Sequence, residues 1–341
     1  MSERKKSLPP KATFIQHTVA SQLGGATSTI LLYPIDVVRM RFMSQDDTRI
    51  RQHNGQTYHS ITTAFRLIYR EEGGTRAFFR GCHVSVLGTV CAWGVYMYFY
   101  RCQCAWYETW QNNQQQQQQR PTGTSSQEET SKGTISVGSG SASWKSLVQR
   151  FGFSIVASCT SAVVCNPIWL LKTRMQLEEA SARTETVQRN FRTFRHGFVY
   201  TVKTTGLRSL WRGVSAQMLL AIPNAFNLPL YDTIKSTTMS LTGRNELSVV
   251  EVCTCSTLTK VVLALICQPL LVVKTRLQDH RARSGEVQYE TFAQSTKTVW
   301  RRGGLVAFYR GMVPSLCQAV PRSVLTFVFY EKFLRFARQI S

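Results

Sequence analysis

Acidic residues are scarce in this chain, and charge of either sign is missing from four long stretches. Asp and Glu together number 19 against 41 Lys and Arg, a net charge of +22. No Lys, Arg, Asp or Glu occurs in Ala12–Ile35, Cys82–Tyr100, Phe153–Leu171 or Val214–Tyr231. Each run is long enough for a helix to cross or nearly cross a bilayer, which takes about 20 residues. Two further runs, Val252–Val273 and Met312–Tyr330, hold one cation each, Lys260 and Arg322. A mean hydropathy of −0.15 is low for a bundle that is apolar all round, and fits helices that each turn one face to water.

Other absences narrow the function. The six histidines are scattered and form no metal-ligand set. There is no Ser/His/Asp set, no pair of carboxylates and no phosphate-binding glycine loop, so neither an enzyme nor a resident cofactor is expected. Most of the ten cysteines lie in apolar runs. Cys102-x-Cys104 and Cys253-x-Cys255 have the wrong spacing for a zinc knuckle or redox pair, so free thiols are expected. Met1–Thr13 is basic but lacks an apolar core or cleavage site, unlike a secretory signal, and it makes a poor transit peptide. No base-reading module appears, and the surplus positive charge has another explanation, so no nucleic-acid partner is expected. It is concentrated in Arg39–Arg51, Lys172–Arg195 and Lys274–Arg302. These segments would share one side of a membrane under the positive-inside rule.

What is present is a threefold repeat. One motif reads Pro34-Ile-Asp36-Val-Val-Arg39-Met-Arg41, then Pro167-Ile-Trp169-Leu-Leu-Lys172-Thr-Arg174, then Pro269-Leu-Leu271-Val-Val-Lys274-Thr-Arg276. Each copy ends an uncharged run and opens a basic segment. Downstream stand Phe79-Arg80-Gly81, Trp211-Arg212-Gly213 and Tyr309-Arg310-Gly311, each followed by a second apolar run. Fixed-period self-similarity of this kind means one assembly of related units. The spacing predicts an all-α membrane protein with six transmembrane helices and no strands. Short amphipathic helices follow each motif, for example around Ile61, Phe65 and Ile68. Gly24 and Gly25 are expected to allow close helix approach.

The first and second motifs lie farther apart than the second and third. The excess is a polar insertion at 111–143 that holds the glutamine run Gln114–Gln119, and its composition predicts a disordered connector. The expected organisation is therefore repeat 1 at 1–110, the insertion at 111–143, repeat 2 at 144–240 and repeat 3 at 241–341.

A proline inside a helix removes one backbone bond and kinks the chain. Two residues on comes an acid position, and three further a base, so both share a helix face. Three such helices around an axis would let an acid of one pair with a base of the next, closing a ring that acts as a gate. In these motifs the chain resembles the mitochondrial carrier family, whose pattern is proline, any residue, Asp/Glu, two residues, Lys/Arg, any residue, Arg/Gln, three times over. The resemblance covers the chain apart from the insertion. It implies a pseudo-threefold six-helix bundle in the inner mitochondrial membrane, with both termini toward the intermembrane space and access alternating between the two sides.

Within that resemblance, Asp36 meets Lys172, whereas Trp169 and Leu271 leave Lys274 and Arg39 without acids. Gln176 and Gln278 occupy the position that braces the bridges, and Met43 departs from it. The second gate is complete only at Tyr231-Asp232-Thr-Ile-Lys235. Tyr330-Glu331 lacks its base at Leu334, and Tyr100-Arg101 carries a cation where the acid belongs, so no complete interhelical pair is expected there. Solvated interfacial charge is the alternative for Asp232, Lys235 and Glu331.

Asn166-Pro167-Ile168-Trp169, Trp93-Gly94-Val95-Tyr96 and Lys260 look like the branch that carries folate, FAD, NAD and pyrimidine nucleotides. The family register gives Gly88, Leu219 with Leu220, and Gln318 as substrate contacts, with Asn224 and Trp93 as weaker additions. Gly88 would leave room and Trp93 would stack on a planar ring. Helix packing is the alternative for Leu219, Leu220 and Trp93. Lys260 lies roughly 13 Å above the kink in helical register. A cation at that depth is costly unless it faces water or an anion, so Lys260 and Arg322 are candidates to hold phosphates or carboxylates.

The resulting expectation is a transporter of a large anionic nucleotide or nucleotide-like cofactor. A carrier of a smaller carboxylate and a carrier-like membrane scaffold remain open. The expected partners are the anionic substrate and membrane lipid, cardiolipin among the candidates, and the expected state is a monomer. The charge asymmetry predicts that protease added to intact mitoplasts cuts near Gln114–Gln119. Cutting there only after the inner membrane is opened would reverse the topology.

Overall fold

The computed structural model describes residues 14–46, 48, 57–118, 140–178, 190–191, 193–243, 248–282 and 287–340. Met1–Thr13 and the centre of the insertion, 119–139, lie outside them. The first repeat contains α1 (Phe14–Leu31), α2 (Tyr33–Ser44), α3 (Ile61–Glu71) and α4 (Cys82–Gln118). The second contains α5 (Gly140–Leu177), α6 (Phe194–Thr205), α7 (Val214–Leu219), α8 (Ala221–Ala225) and α9 (Asn227–Thr242). The third contains α10 (Val249–Gln278), α11 (Phe292–Phe308) and α12 (Met312–Ile340). No strand occurs among the described residues.

Among the described residues, four stretches are long and apolar enough to cross a membrane: Gly74–Gln114, Phe151–Leu177, Val250–Gln278 and Met312–Ala337. The other two crossing segments are interrupted, and prolines account for the breaks. In repeat 1 the helix breaks at Leu32 (φ −94°, ψ 6°), just before Pro34. In repeat 2, α7 ends at Leu219 and α8 at Ala225. These are the residues four before Pro223 and Pro229, whose rings crowd the i−4 carbonyl. Pro167 and Pro269 sit inside continuous helices.

The sequence places a disordered connector from Gln111, and there the structure differs. α4 continues through Gln118, and α5 already begins at Gly140. Glutamine is a good helix former, and extending a formed helix needs no new nucleus. At 37 residues, α4 is about 55 Å long, well beyond a hydrocarbon core of about 30 Å.

Neighbouring pairs α4–α5, α9–α10 and α12–α1 run side by side around the bundle, while α2, α5 and α10 converge at the motif end. Gly24 is one reason α1 and α12 approach closely: a Cβ there would lie 3.0 Å from Tyr330 N and 3.1 Å from Thr326 O. Ser28 and Thr326 share a hydroxyl bond of 2.8 Å at the same contact. Gly25, expected to act likewise, has open space. The amphipathic helices bury one face under the converging ends. Ala64 and Ile68 of α3 join Val38, Ala77 and Phe78, and Val299 of α11 joins Val273 and Leu277.

The residue before each motif proline ties its helix to the segment just ahead of α4, α7 or α12 in the same repeat. Tyr33 OH donates to Arg80 O (2.9 Å), Asn166 Nδ2 to Leu210 O (2.7 Å) and Gln268 Nε2 to Arg310 O (2.9 Å). The last arginine of each motif then reaches the next repeat. Arg41 Nε donates to Gln176 O, Arg174 Nε to Gln278 O and Arg276 Nε to Met43 O, each at 3.3 Å. These three bonds close a ring, and their donors are buried. The guanidinium tips are held by the polar segments: Arg41 by Glu72 and Tyr58, Arg174 by Thr201, Arg276 by Tyr289 and the Gln45 carbonyl.

The landmark glycines let adjacent repeats meet. Gly81, Gly213 and Gly311 have φ of 74°, 76° and 77°, a left-handed conformation in which a Cβ is disfavoured. At Gly213 a Cβ would also lie 3.0 Å from Gln278 Cγ. Gly213→Ala should therefore lower stability by about 2 kcal/mol, read as a lower melting temperature in detergent. Gly152→Ala on α5, where a Cβ meets nothing within 4 Å, should leave it unchanged or slightly higher.

Candidate functional site: a cationic cavity floor

The motif faces of α2, α5 and α10 meet on the Asp36 carboxylate. Lys172 Nζ stands 2.8 Å from Asp36 Oδ2, with the two side chains 14% and 11% exposed. Gln176 Nε2 donates to the same oxygen at 2.9 Å. Gln318 Nε2, from α12, donates to Asp36 Oδ1 at 3.1 Å. Arg39 Nη1 donates to Gln318 Oε1 at 3.1 Å. The carboxylate thus accepts three hydrogen bonds, one charge-assisted, which is how a buried charge becomes tolerable.

This arrangement corrects one expectation and explains another. Gln318 is buried, 4% exposed, and is spent on the Asp36 network. It supplies the acceptor that Leu271 cannot offer Arg39. Trp169, the second missing acid, places its ring 5.6 Å from Lys172 Nζ, a cation–π distance. Lys274 receives no replacement: it makes no hydrogen bond or ion pair with any described residue. Gln278, with no bridge to brace, accepts from Thr173 Oγ1 (3.1 Å) and donates to Asn166 Oδ1 (3.5 Å).

Two cations continue the column upward. Arg322 is within electrostatic reach of both Arg39 and Lys260. Its Nη2 donates to Thr29 Oγ1 at 3.0 Å. Lys260, exposed on α10, donates to Asn227 Oδ1 at 3.1 Å. Thr29 and Asn227 were not apparent from sequence, because no repeated position marks them. Their only signal is an uncharged polar side chain in an apolar run.

The remaining candidates divide between packing and surface. Gly88 does not leave room for a ring: a Cβ there would lie 3.1 Å from Ile168 and 3.6 Å from Trp169, so the glycine admits Trp169 against α4. Leu220 is 4% exposed and packs with Leu263 and Cys267. Leu219 and Asn224 are exposed. Trp93 is 49% exposed, its ring edge-on to Tyr96 at 5.7 Å. At the opposite end, Asp232 is exposed and makes no ion pair with a described residue, nor does Lys235. Glu331 pairs with Arg335 of its own helix at 3.4 Å, a solvated contact worth little.

A family model described as mitochondrial carrier protein matches residues 10–108, 143–241 and 245–341. The chain belongs to the mitochondrial carrier family. Similar proteins share about a quarter of its residues over nearly the full length. The chloroplastic folate transporter 1 of Arabidopsis thaliana is 26% identical over 95% of this chain and 96% of its own. The mitochondrial FAD carrier protein of Saccharomyces cerevisiae is 24% identical over 94% and 96%. The peroxisomal nicotinamide adenine dinucleotide carrier of Arabidopsis thaliana is 24% identical over 92% and 93%. The carrier is accordingly an all-α, multi-pass membrane protein of three repeats.

Asp36 is the carboxylate on which the floor of this carrier converges, so its loss strands Lys172. Asp36→Asn should cost about 3 kcal/mol, the scale for breaking a buried pair from one side. The readout is the melting temperature of the purified carrier. No change would mean that Lys172 reaches solvent freely.

Proposed function

We propose that this carrier moves a large anionic nucleotide or nucleotide-like cofactor, of the folate, FAD, NAD or pyrimidine nucleotide class, across the inner mitochondrial membrane by alternating access. The observation that carries the reading is a run of five cations: Arg39, Lys172 and Lys274 within electrostatic reach of Asp36, then Arg322 beside Arg39 and Lys260 beside Arg322. Inside a membrane protein such charge is costly unless water or an anion meets it. Several cations in a column suit a ligand with several negative charges better than a single carboxylate. The named relatives carry folate, FAD and nicotinamide adenine dinucleotide, and this supports the same class. They serve different compartments, so the inner membrane assignment rests on the family. No substrate bond is made or broken. The reading takes the transporting unit as a monomer surrounded by lipid, which a column contained in one chain supports.

The substrate-binding assignment falls on Lys260 and Arg322, both half-exposed or exposed and each held by one neutral partner that an anion can displace. Asp36 and Lys172 with Gln176 act as the closed gate, and Arg39 is tethered to it through Gln318.

The test is uptake of labelled FAD, NAD, folate and pyrimidine nucleotides into liposomes that hold the purified carrier. Lys260→Ala and Arg322→Ala should each reduce uptake of the true substrate about ten-fold or more, the scale of one charge-assisted bond, with an unchanged melting temperature. Uptake of none of these compounds, or unchanged kinetics in both variants, would reject the reading. One gate pair at the floor, with no interhelical ion pair from Asp232, Lys235 or Glu331 to a described residue at the opposite end, gives the empty carrier a low barrier to reorientation. Net uptake should therefore occur without internal substrate. Strict dependence on internal substrate would mean that apolar contacts around Trp169 and Leu271 replace the missing ionic barrier.

A further inference from the structure

The floor holds more donors than acceptors. Lys274 is only partly buried and makes no hydrogen bond or ion pair with a described residue. Its charge is felt by two other cations, Lys172 and Arg39, and by one carboxylate, Asp36. That carboxylate is already taken by Lys172, Gln176 and Gln318. Arg39 spends Nη1 on the amide oxygen of Gln318, a neutral acceptor, while its Nε is buried with no partner among the described residues. Two positions that could have brought acids carry Trp169 and Leu271. The first turns its ring to Lys172, and the second packs beside Leu220, Leu263 and Cys267. Orphaned donors on cations are among the most costly groups to leave unsatisfied.

We infer that Lys274 and Arg39 form an anion site at the cavity floor, and that its occupant is a phosphate group of the cargo. This rests on the proposed nucleotide or cofactor substrate and goes beyond it, because it moves Lys274 from the gate to the ligand. A tetrahedral phosphate offers acceptors to an ammonium and a guanidinium at once. It stands where the missing acids of the ring would stand, so the cargo itself completes the charge balance. The site also links binding to opening. A phosphate that draws the Arg39 guanidinium toward Lys274 competes with the neutral Gln318 acceptor, and Gln318 is one of the three donors that hold Asp36. Cargo at the floor thereby weakens the closed network by a contact that the empty carrier lacks, the differential interaction that a ligand-driven change requires.

Inorganic pyrophosphate is the probe. In phospholipid-free detergent it should stabilise the wild-type carrier, and in liposomes it should inhibit cofactor uptake competitively. Lys274→Gln should weaken both effects about ten-fold or more, and Lys274→Arg should retain most of them. Lys203→Gln, on the exposed face of α6, should match wild type. The melting temperature of Lys274→Gln without ligand should be unchanged or higher, since an unpaired cation is removed, and this separates the effect from misfolding. Pyrophosphate binding by Lys274→Gln at wild-type affinity would overturn the site. Binding through Lys274 that leaves uptake unaffected would overturn the assignment to the cargo. Stabilisation by cardiolipin should be equal in wild type and Lys274→Gln. A loss confined to cardiolipin, with pyrophosphate inert, would make this a lipid site and overturn the inference. Cofactor uptake by Lys274→Gln with wild-type KM would sink the inference and leave the proposed function intact. Competition by pyrophosphate through Lys274 against a phosphate-bearing solute that is not a nucleotide or cofactor would keep the site and remove the cofactor reading.

Discussion

A carboxylate among cations, at the point where three helices meet inside a membrane, governs the rest of this molecule. Asp36 is worth burying only because Lys172 arrives from the second repeat and Gln318 from the last helix of the third. One side chain on α2 therefore requires α5 and α12 to be in place. The kinks at the motif prolines aim the helices at this point, and the residues before those prolines hold the kinks by bonding to the carbonyls that precede the even helices. Charge balance and helix geometry are one constraint here, since neither survives without the other.

The same constraint explains how the chain copes with an incomplete ring. A fully ionic ring would need three acids, and this sequence provides one. The first deficit is filled by an amide, because Gln318 both donates to Asp36 and accepts from Arg39. An amide is the side chain that can do both at once. The second is not filled, because Trp169 turns its ring to Lys172, a cation that already has Asp36. The third cation, Lys274, is left without an ion-pair partner among the described residues. A gate built this way is softer than an ionic one and leaves a charge available to whatever enters.

Much of this was legible in the sequence, for a physical reason. Uncharged runs report membrane crossing directly, and the recurrence of Pro, Lys/Arg and Arg at fixed offsets reports threefold geometry. The Asp36–Lys172 pair follows from helical register once three copies are seen. Axial level was readable in this way, but azimuth was not. Gln318 and Gly88 lie at the depth where substrate contacts were expected, yet Gln318 turns into the floor and Gly88 faces the Trp169 ring. Thr29 and Asn227 became visible only when α1 lay beside α12 and α9 beside α10. The breaks in α7–α9 were foreshadowed by Pro223 and Pro229, whereas the reach of α4 through Gln118 was hidden by a composition that suits a helix and a connector equally.

The ring of arginines has a consequence for how this chain tolerates change. Arg41, Arg174 and Arg276 each bond to a main-chain carbonyl of the next repeat, not to a side chain. The acceptor is therefore present whatever residue stands there, and Gln176, Gln278 and Met43 serve equally. Assembly of the three repeats is thereby insulated from mutation at those positions. Gln176 is free to specialise toward Asp36, while Met43, which packs where a glutamine would sit, costs the ring nothing. A scaffold whose fastening is written into its backbone can vary the lining of its interior, and so the solute it admits, without coming apart.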